Sequence, residues 1–546
     1  MKKLFVVVLS VGLLAVPALR ISARDVPAAD EWPQTLKSDG LSFKVYQPQL
    51  DSWDRYTLKA HSAVAVQKGA DENRVSYGVV NFAAATIVDK ASGTVRFGAM
   101  QVEDVKYPSE PGQEQSYLLA LRSAAPLQMK SMSLDRLEAN LQIIDAQKKG
   151  QSHELRNDPP KIIFSREPAV LLYLDGEPSL APVRDTELSR VINTPVLLLK
   201  DKAGKFYLHV LDGYLEAYDI NGPWTVCRNI TKDLKKAAQL MDDSRDVDLL
   251  QGEKDPDTGE VPSLSDGQAP RVYVSKVPAE LIVTDGEPNY TPLDGTNLLY
   301  VSNTTANVFK DLDDQMTYVL LSGRWFRSSS EKGPWDYVSG SNLPEDFSRI
   351  PDDSPKENVK ASVPGTGEAE EAVIANSIPT TTKVKPGSAK IPLAVDGEPQ
   401  LKRIEGTPLY YVFNCSLPVI KVDDKTWYTV YNGVWYAATG INGPWEVASS
   451  VPAVIYSIPA NSPLHYVTYV KIYDATPEFV YVGYTPGYYG TVVCSDGVVV
   501  YGTGYFYPGY LGRHVWFSPF VTYGYGSSLC WTPWYGWSFG FGFGWG

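Results

Sequence analysis

The sequence predicts a mostly β protein: an N-terminal α+β domain, three antiparallel β-meander repeats of about 50 residues at a period of about 110, and a Gly/aromatic-rich C-terminal β segment. Three observations predict it. Asp175-Gly176-Glu177-Pro178 recurs as Asp285-Gly286-Glu287-Pro288 and as Asp396-Gly397-Glu398-Pro399. Each copy then carries three further landmarks in matched order: an asparagine (Asn193, Asn303, Asn414), a turn glycine (Gly213, Gly323, Gly433) and Gly-Pro-Trp ending at Trp224, Trp335 and Trp445. The chain is also rich in Tyr (34), Trp (13), Gly (43) and Pro (40), which suits short strands joined by tight turns.

The module follows from its residues. In the third copy an aromatic and β-branched run, Trp427 to Tyr431, meets Asn432-Gly433 and then Val434-Trp435-Tyr436-Ala437. Strand formers around Asn-Gly predict a hairpin with a type I′ turn, because both central residues must tolerate positive φ. Asp212-Gly213 and Ser322-Gly323 stand at the corresponding places. Gly-Pro-Trp forces a second reversal, since the residue before proline is pushed out of the helical region. Strands such as Ala279 to Val283 lead into each Asp-Gly-Glu-Pro turn, so each core reads as four or five strands.

The ends differ. Lys2 and Lys3, an apolar run from Leu4 to Leu19 and small residues at Ala18 and Ala23 have the pattern of a cleavable signal peptide. Leu58 to Val66, Val75 to Ile87 and Val95 to Val105 read as strands, and a helix follows Ser133 with Leu134, Leu137, Leu141 and Ile144 on one face and Gly150 at its end. The chain therefore divides into a signal peptide (1–23), the α+β domain (30–155), modules at 160–228, 271–340 and 388–450, linkers at 229–270 and 341–387, a degenerate fourth module (451–495) opened by Pro477-Glu478-Phe479, and a nearly uncharged tail (496–546). A short helix around Glu368 to Asn376 interrupts the second linker. In the tail, Trp534, Trp537, Phe539, Phe541, Phe543 and Trp545 alternate with glycine or small residues, which as a strand would put the ring of each Phe-Gly step on one face. Such a ribbon needs a cover, either the protein's own sheet or a membrane, a partner or a sister chain.

Composition excludes some classes. A net charge of −13 argues against phosphate-backbone binding, hence against nucleic acid. The four cysteines are too scattered for a metal site, and Cys494–Cys530 is the disulfide pair to test first. No two of the five histidines share ligand spacing, and no nucleophile elbow, P-loop or dinucleotide fingerprint occurs, so no catalytic residue, metal or cofactor is expected. Acid pairs such as Asp313-Asp314 and Asp423-Asp424 fall in loops, which leaves only a hydrolase with a distributed site as a minor enzymatic alternative.

The aromatics are the candidate binding residues: Trp325-Phe326 and Trp435-Tyr436 after the hairpin glycine, and Trp224, Trp335 and Trp445 after Gly-Pro. Aromatic faces stack on sugar C–H faces, and repeated weak sites gain by avidity; the same rings also serve as the core of a small module. For each Trp/aromatic pair, strand alternation points one member outward. The stretch Tyr431 to Ala437, closing with Pro444-Trp445, resembles the chitin- and cellulose-binding modules of carbohydrate-binding families 5 and 12. The chain as a whole resembles a group of secreted proteobacterial proteins labelled carbohydrate-binding family V/XII. The resemblance implies an exported, non-enzymatic protein of the periplasm, outer membrane or cell surface that binds polysaccharide or cell-wall glycan. The alternative is a scaffold or assembly protein that docks to the outer membrane or to itself through its tail.

Overall fold

A computed structural model describes residues 32–38, 40–68, 75–98, 100–124, 131–150, 154–244, 247–252, 263–266, 269–519, 527–532 and 536–541, the side chains of 68, 131–132, 243–244, 266 and those beyond 519 excepted. The signal-peptide reading at 1–23 lies outside them. Among the described residues no helix is long and apolar enough to cross a membrane.

Period-two alternation dominates the N-terminal region. Val75–Asp89 alternates half-buried and buried residues along most of its length and pairs along Thr57–Lys68. These two strands centre an eight-stranded sheet that also contains Gln34–Ser38, Leu41–Val45, Gln49–Trp53, Thr94–Phe97, Gln101–Lys106 and Ser131–Ser133. The strand expected from Val95 to Val105 is two strands, both paired to Val75–Asp89, and Gly98 lies at the break between them. Helix α1 (Glu114–Ser123) buries Tyr117, Ala120 and Leu121 against this sheet. Helix α2 (Leu134–Gly150) starts where expected, with the Ser133 hydroxyl accepting from the Arg136 amide at 3.3 Å. Leu134 and Leu137 meet the sheet, while Ile143 and Ala146 pack on the third meander's core. Gly150 ends the helix against backbone, because an added Cβ would stand 3.2 Å from the Tyr456 carbonyl.

The three modules fold alike, each into a six-stranded antiparallel meander in sequential order. The first runs from Leu180–Pro182 to Thr225–Val226, the second from Tyr290–Pro292 to Asp336–Val338, and the third from Leu401–Arg403 to Glu446–Val447. One asparagine explains the matched spacing. Asn193 Nδ2 donates to the carbonyls of Asp175 (2.8 Å) and Glu177 (2.7 Å), and its Oδ1 accepts from the Ser179 amide (2.8 Å). Asn303 makes the same three bonds to Asp285, Glu287 and Asn289, and Asn414 to Asp396, Glu398 and Gln400. The side chain thus satisfies turn groups that would otherwise lose water on burial.

The hairpin differs by one residue. Its first turn position is left-handed in all three copies: Leu211 (φ 53°), Ser322 (51°) and Asn432 (50°). Gly323 and Gly433 follow at positive φ, the type I′ requirement. In the first copy the turn is Leu211-Asp212, and Gly213 already pairs with Val210. This tip is fastened: the Asp212 carboxylate accepts from Ser263 Oγ (2.6 Å) and the Leu264 amide (2.9 Å).

Both faces of each sheet are covered. The strands leading into the first two meanders exchange partners: Ala169–Tyr173 lies parallel to Arg271–Ser275, and Lys161–Ser165 parallel to Ala279–Val283. The first pair sends Val170, Leu172, Val272 and Val274 onto meander one; the second sends Ile162, Phe164 and Ile282 onto meander two. Connectors cover the opposite faces. Helix α3 (Lys232–Ser244) buries Leu234 and Ala237 on meander one, and Phe347, Ile350, Val359 and Val363 bury on meander two. Residues 341–387 are therefore not a linker. They contain helix α4 (Gly367–Asn376), at the place read from sequence, and the strand Thr380–Val384, and their apolar residues are core.

Residues 451–495 do not make a fourth meander. Val470–Ala475 and Val480–Tyr484 form a hairpin that Thr380–Val384 joins as a third strand. The turn sequence is missing there: Tyr484-Thr485-Pro486-Gly487 replaces Asp-Gly-Glu-Pro, with no clamping asparagine, and Pro486–Tyr489 turns into a 3-10 helix. Cys494 is a free thiol, pushed up to about 11 by burial, so the Cys494–Cys530 pair is not formed; the Cys530 side chain lies outside the described residues.

The start of the tail fastens the meanders together. The Asp175 carboxylate accepts from the Gly509 amide (2.7 Å) and Trp516 Nε1 (3.0 Å), and Asp396 accepts from the Tyr510 hydroxyl (2.8 Å). One short hairpin, Tyr510–Leu511 with Trp516–Phe517, so clasps the turns of meanders one and three. Ser527–Thr532 pairs antiparallel with Gly536–Phe541. Trp534, Phe543 and Trp545, and the side chains of Trp537, Phe539 and Phe541, lie outside the described residues.

Candidate functional site

The aromatic that follows each hairpin is a buried peg. Trp325 and Trp435 are buried, as is Tyr214 at the same place in meander one. Trp325 Nε1 donates to the Ser362 carbonyl (2.9 Å), Trp435 Nε1 to that of Val470 (2.8 Å), and the Tyr214 hydroxyl to that of Leu234 (2.8 Å). Every acceptor belongs to the segment that follows its meander. The ring fills the sheet face, and its polar edge pins the connector across it. Phe326 and Tyr436, next along the strands, are buried as well. The expectation that one of each pair points to solvent is therefore corrected: alternation assigns them to opposite faces, but both faces are packed. Trp325, Phe326, Trp435 and Tyr436 present no stacking surface.

The Gly-Pro-Trp tryptophans divide. Each follows a Gly-Pro bond that is cis, after a glycine at positive φ, and the indole folds back over that glycine. Trp335 (9 % exposed) and Trp445 (7 %) are core residues. Trp224 is half-buried, with its Nε1 donating to the Ile220 carbonyl (3.1 Å), and it borders an open depression of about 650 Å³. Of the seven aromatics singled out from sequence, it is the one that lines this depression.

The depression lies at the edge of the first meander. Tyr207, Glu216 and Thr225 form one cross-strand row, and Lys205, Trp224, Arg228, Asn229 and Thr231 complete the rim. Lys205 Nζ stands 3.2 Å from Glu216 Oε2, a bond that raises the lysine above its usual range. The ammonium also lies over the rings of Tyr207 (5.6 Å) and exposed Tyr218 (5.5 Å). Burial, with the hydrogen bond from its hydroxyl to Asp201 (3.0 Å), pushes the Tyr207 phenol up to about 12. The site offers an indole, a tyrosine, fixed charges and amide and hydroxyl groups at an open rim, which is binding chemistry for a polar ligand with an apolar face.

Sequence reasoning missed Lys205, Tyr207, Glu216 and Arg228. The signal was available in the copies compared position by position. Superposing the hairpins places Tyr207 on Tyr318 and Tyr428, and Trp224 on Trp335 and Trp445. The charges are not shared: Lys205 corresponds to Met316 and Thr426, Glu216 to Arg327 and Ala437, and Arg228 to Ser339 and Ser449. The aromatic frame belongs to the meander; the charged rim belongs to meander one.

A second groove, of about 120 Å³, lies between meander three and the C-terminal clasp, lined by Tyr411, Phe413, Tyr466, Tyr507, Tyr510 and Phe517. The loop acids serve turns. Asp314 accepts from the Tyr318 hydroxyl (2.6 Å), and Asp424 pairs with Lys421 (2.8 Å). Among the described residues no group of three or more His, Cys, Asp or Glu side chains is placed to hold a metal. The chain matches no protein-family model, no curated protein and no solved structure.

Proposed function

We propose that this chain is an exported, non-enzymatic protein of the cell envelope that binds polysaccharide, and that it does so at the depression on the first meander rather than at three equivalent modules. The observation that carries the reading is the division among Trp224, Trp335 and Trp445: one borders an open, polar rim and two are core. An indole at such a rim offers a flat apolar face to a sugar ring, and the surrounding amide, hydroxyl and charged groups hydrogen-bond its hydroxyls. The leader pattern at residues 1–23 supports export, and the engagement of the loop acids in turns supports a binding rather than a hydrolytic role.

The test is retention of the full mature chain on cellulose, chitin, peptidoglycan and acidic polysaccharide gels, for the parent and for Trp224→Ala. Retention on at least one of these that falls tenfold or more with Trp224→Ala supports the reading. Retention indifferent to Trp224, or none on any gel, overturns it. Trp435→Phe, which keeps most of a buried ring, serves as the control and leaves retention unchanged.

A further inference from the structure

We propose that the polysaccharide bound at this depression is anionic, a polymer whose sugar rings carry carboxylates as uronic acids do; this rests on the binding reading above and adds the charge of the ligand. The depression's charged lining is Lys205, Glu216 and Arg228. Lys205 and Glu216 neutralise each other at 3.2 Å. Asp201, reached through the Tyr207 hydroxyl, also accepts from the Lys205 amide (2.9 Å) and lies behind the rim rather than on it. Arg228 is exposed and, among the described residues, has no ion pair or hydrogen bond. One uncommitted guanidinium therefore lines the same depression as the indole, on a chain whose net charge is −13.

Chemistry selects the ligand from there. A neutral sugar can use the indole, but it leaves the guanidinium in water and draws little from it. A ring carboxylate pairs with a guanidinium through two parallel N–H···O bonds, roughly twice as strong as neutral ones. The charges are also not something the fold requires, since Ser339 and Ser449 replace Arg228 in meanders that keep the same tyrosine and tryptophan. The meander that has the arginine has the accessible indole; the two with serine at this position have the indole in the core.

The experiment uses the full mature chain with polygalacturonate and alginate, each against its carboxyl-reduced form, which keeps the rings and linkages and removes the charge. Affinity gel electrophoresis or calorimetry reads the dissociation constant. At least one acid polymer is expected to bind, with affinity falling tenfold or more on carboxyl reduction and on Arg228→Gln, partly kept by Arg228→Lys, and weakened further by high salt. Equal binding of the acid and reduced polymers, or no effect of Arg228→Gln, overturns the anionic assignment; Trp224-dependent retention on neutral gels would then leave the broader reading standing. Absence of Trp224-dependent retention on any glycan overturns both. Arg228 is exposed, so its variants fold as the parent does.

Discussion

Glu371 offers the sharpest test of how the connector α4 is held. It is 2 % exposed on the face of α4 that meets the N-terminal sheet. Ser109 Oγ and the Tyr77 backbone hydrogen-bond to it, Glu368 and Glu110 lie near, and Tyr107 packs buried beside the group. The adjacent cations are committed, Lys106 to Glu370 (2.6 Å) and Lys360 to Asp352 (2.5 Å) and Glu368 (2.6 Å). Burial, and then the neighbouring carboxylates, raise Glu371 from 4.5 to about 7. Each factor of ten in proton affinity is worth about 1.4 kcal/mol, so the folded protein holds this proton more tightly than the unfolded chain by about 3 kcal/mol. The folded-state value is raised, so the unfolded chain loses the proton first. The contribution is complete below pH 4.5 and is lost as pH rises through about 7. Glu371→Gln keeps a neutral acceptor and removes the titration. Urea unfolding at pH 4 and pH 8 is expected to show near-equal stability at pH 4. At pH 8 the variant should be ahead by up to about 3 kcal/mol, or about 1 M in midpoint at a slope of about 3 kcal/mol per M. A variant whose midpoint tracks the parent at both pH values would refute the reasoning, because Glu371 would then titrate alike in the folded and unfolded chain.

Two further predictions concern the repeated turn and the clasp. Asn193→Ala and Asn414→Ala each remove three hydrogen bonds at a fully buried position and should cost about 3 kcal/mol; Asn303→Ala, at a half-buried site, should cost less, all read from denaturant midpoints. Gly509→Ala would place a Cβ 2.6 Å from the Phe517 carbonyl and 3.0 Å from the Asp175 carboxylate, so it should loosen the clasp by about 1–3 kcal/mol and speed proteolysis within residues 505–517. Unchanged cleavage there would count against the clasp.

The legibility of this chain divides by distance along it. Asn303 lies 18 residues from the turn it clamps, and Ser322-Gly323 and Asn432-Gly433 form their hairpins from four consecutive residues, so landmarks and strands were readable. Interactions of that range are set by local backbone preference and by which short side chain can reach a nearby carbonyl. The sequence by itself determined the period, the central hairpin and Gly-Pro turn of each meander, the start of α2 and the place of α4; the four or five strands expected per module are six, and the lead-in strands counted among them pair outside the meanders.

What surrounds each sheet was decided only in three dimensions. Ala169–Tyr173 finds its partner about a hundred residues on, in Arg271–Ser275, and Trp325 is covered by a connector whose polar composition reads as a linker. Alternation can state that Trp325 and Phe326 leave opposite faces of a strand; it cannot state that both faces are packed. The same gap explains the site. Trp224, Trp335 and Trp445 share one local geometry because Gly-Pro-Trp dictates it, while their exposure depends on which distant segments settle against each meander. Binding surfaces are what packing leaves uncovered, and packing here is a property of the assembled chain.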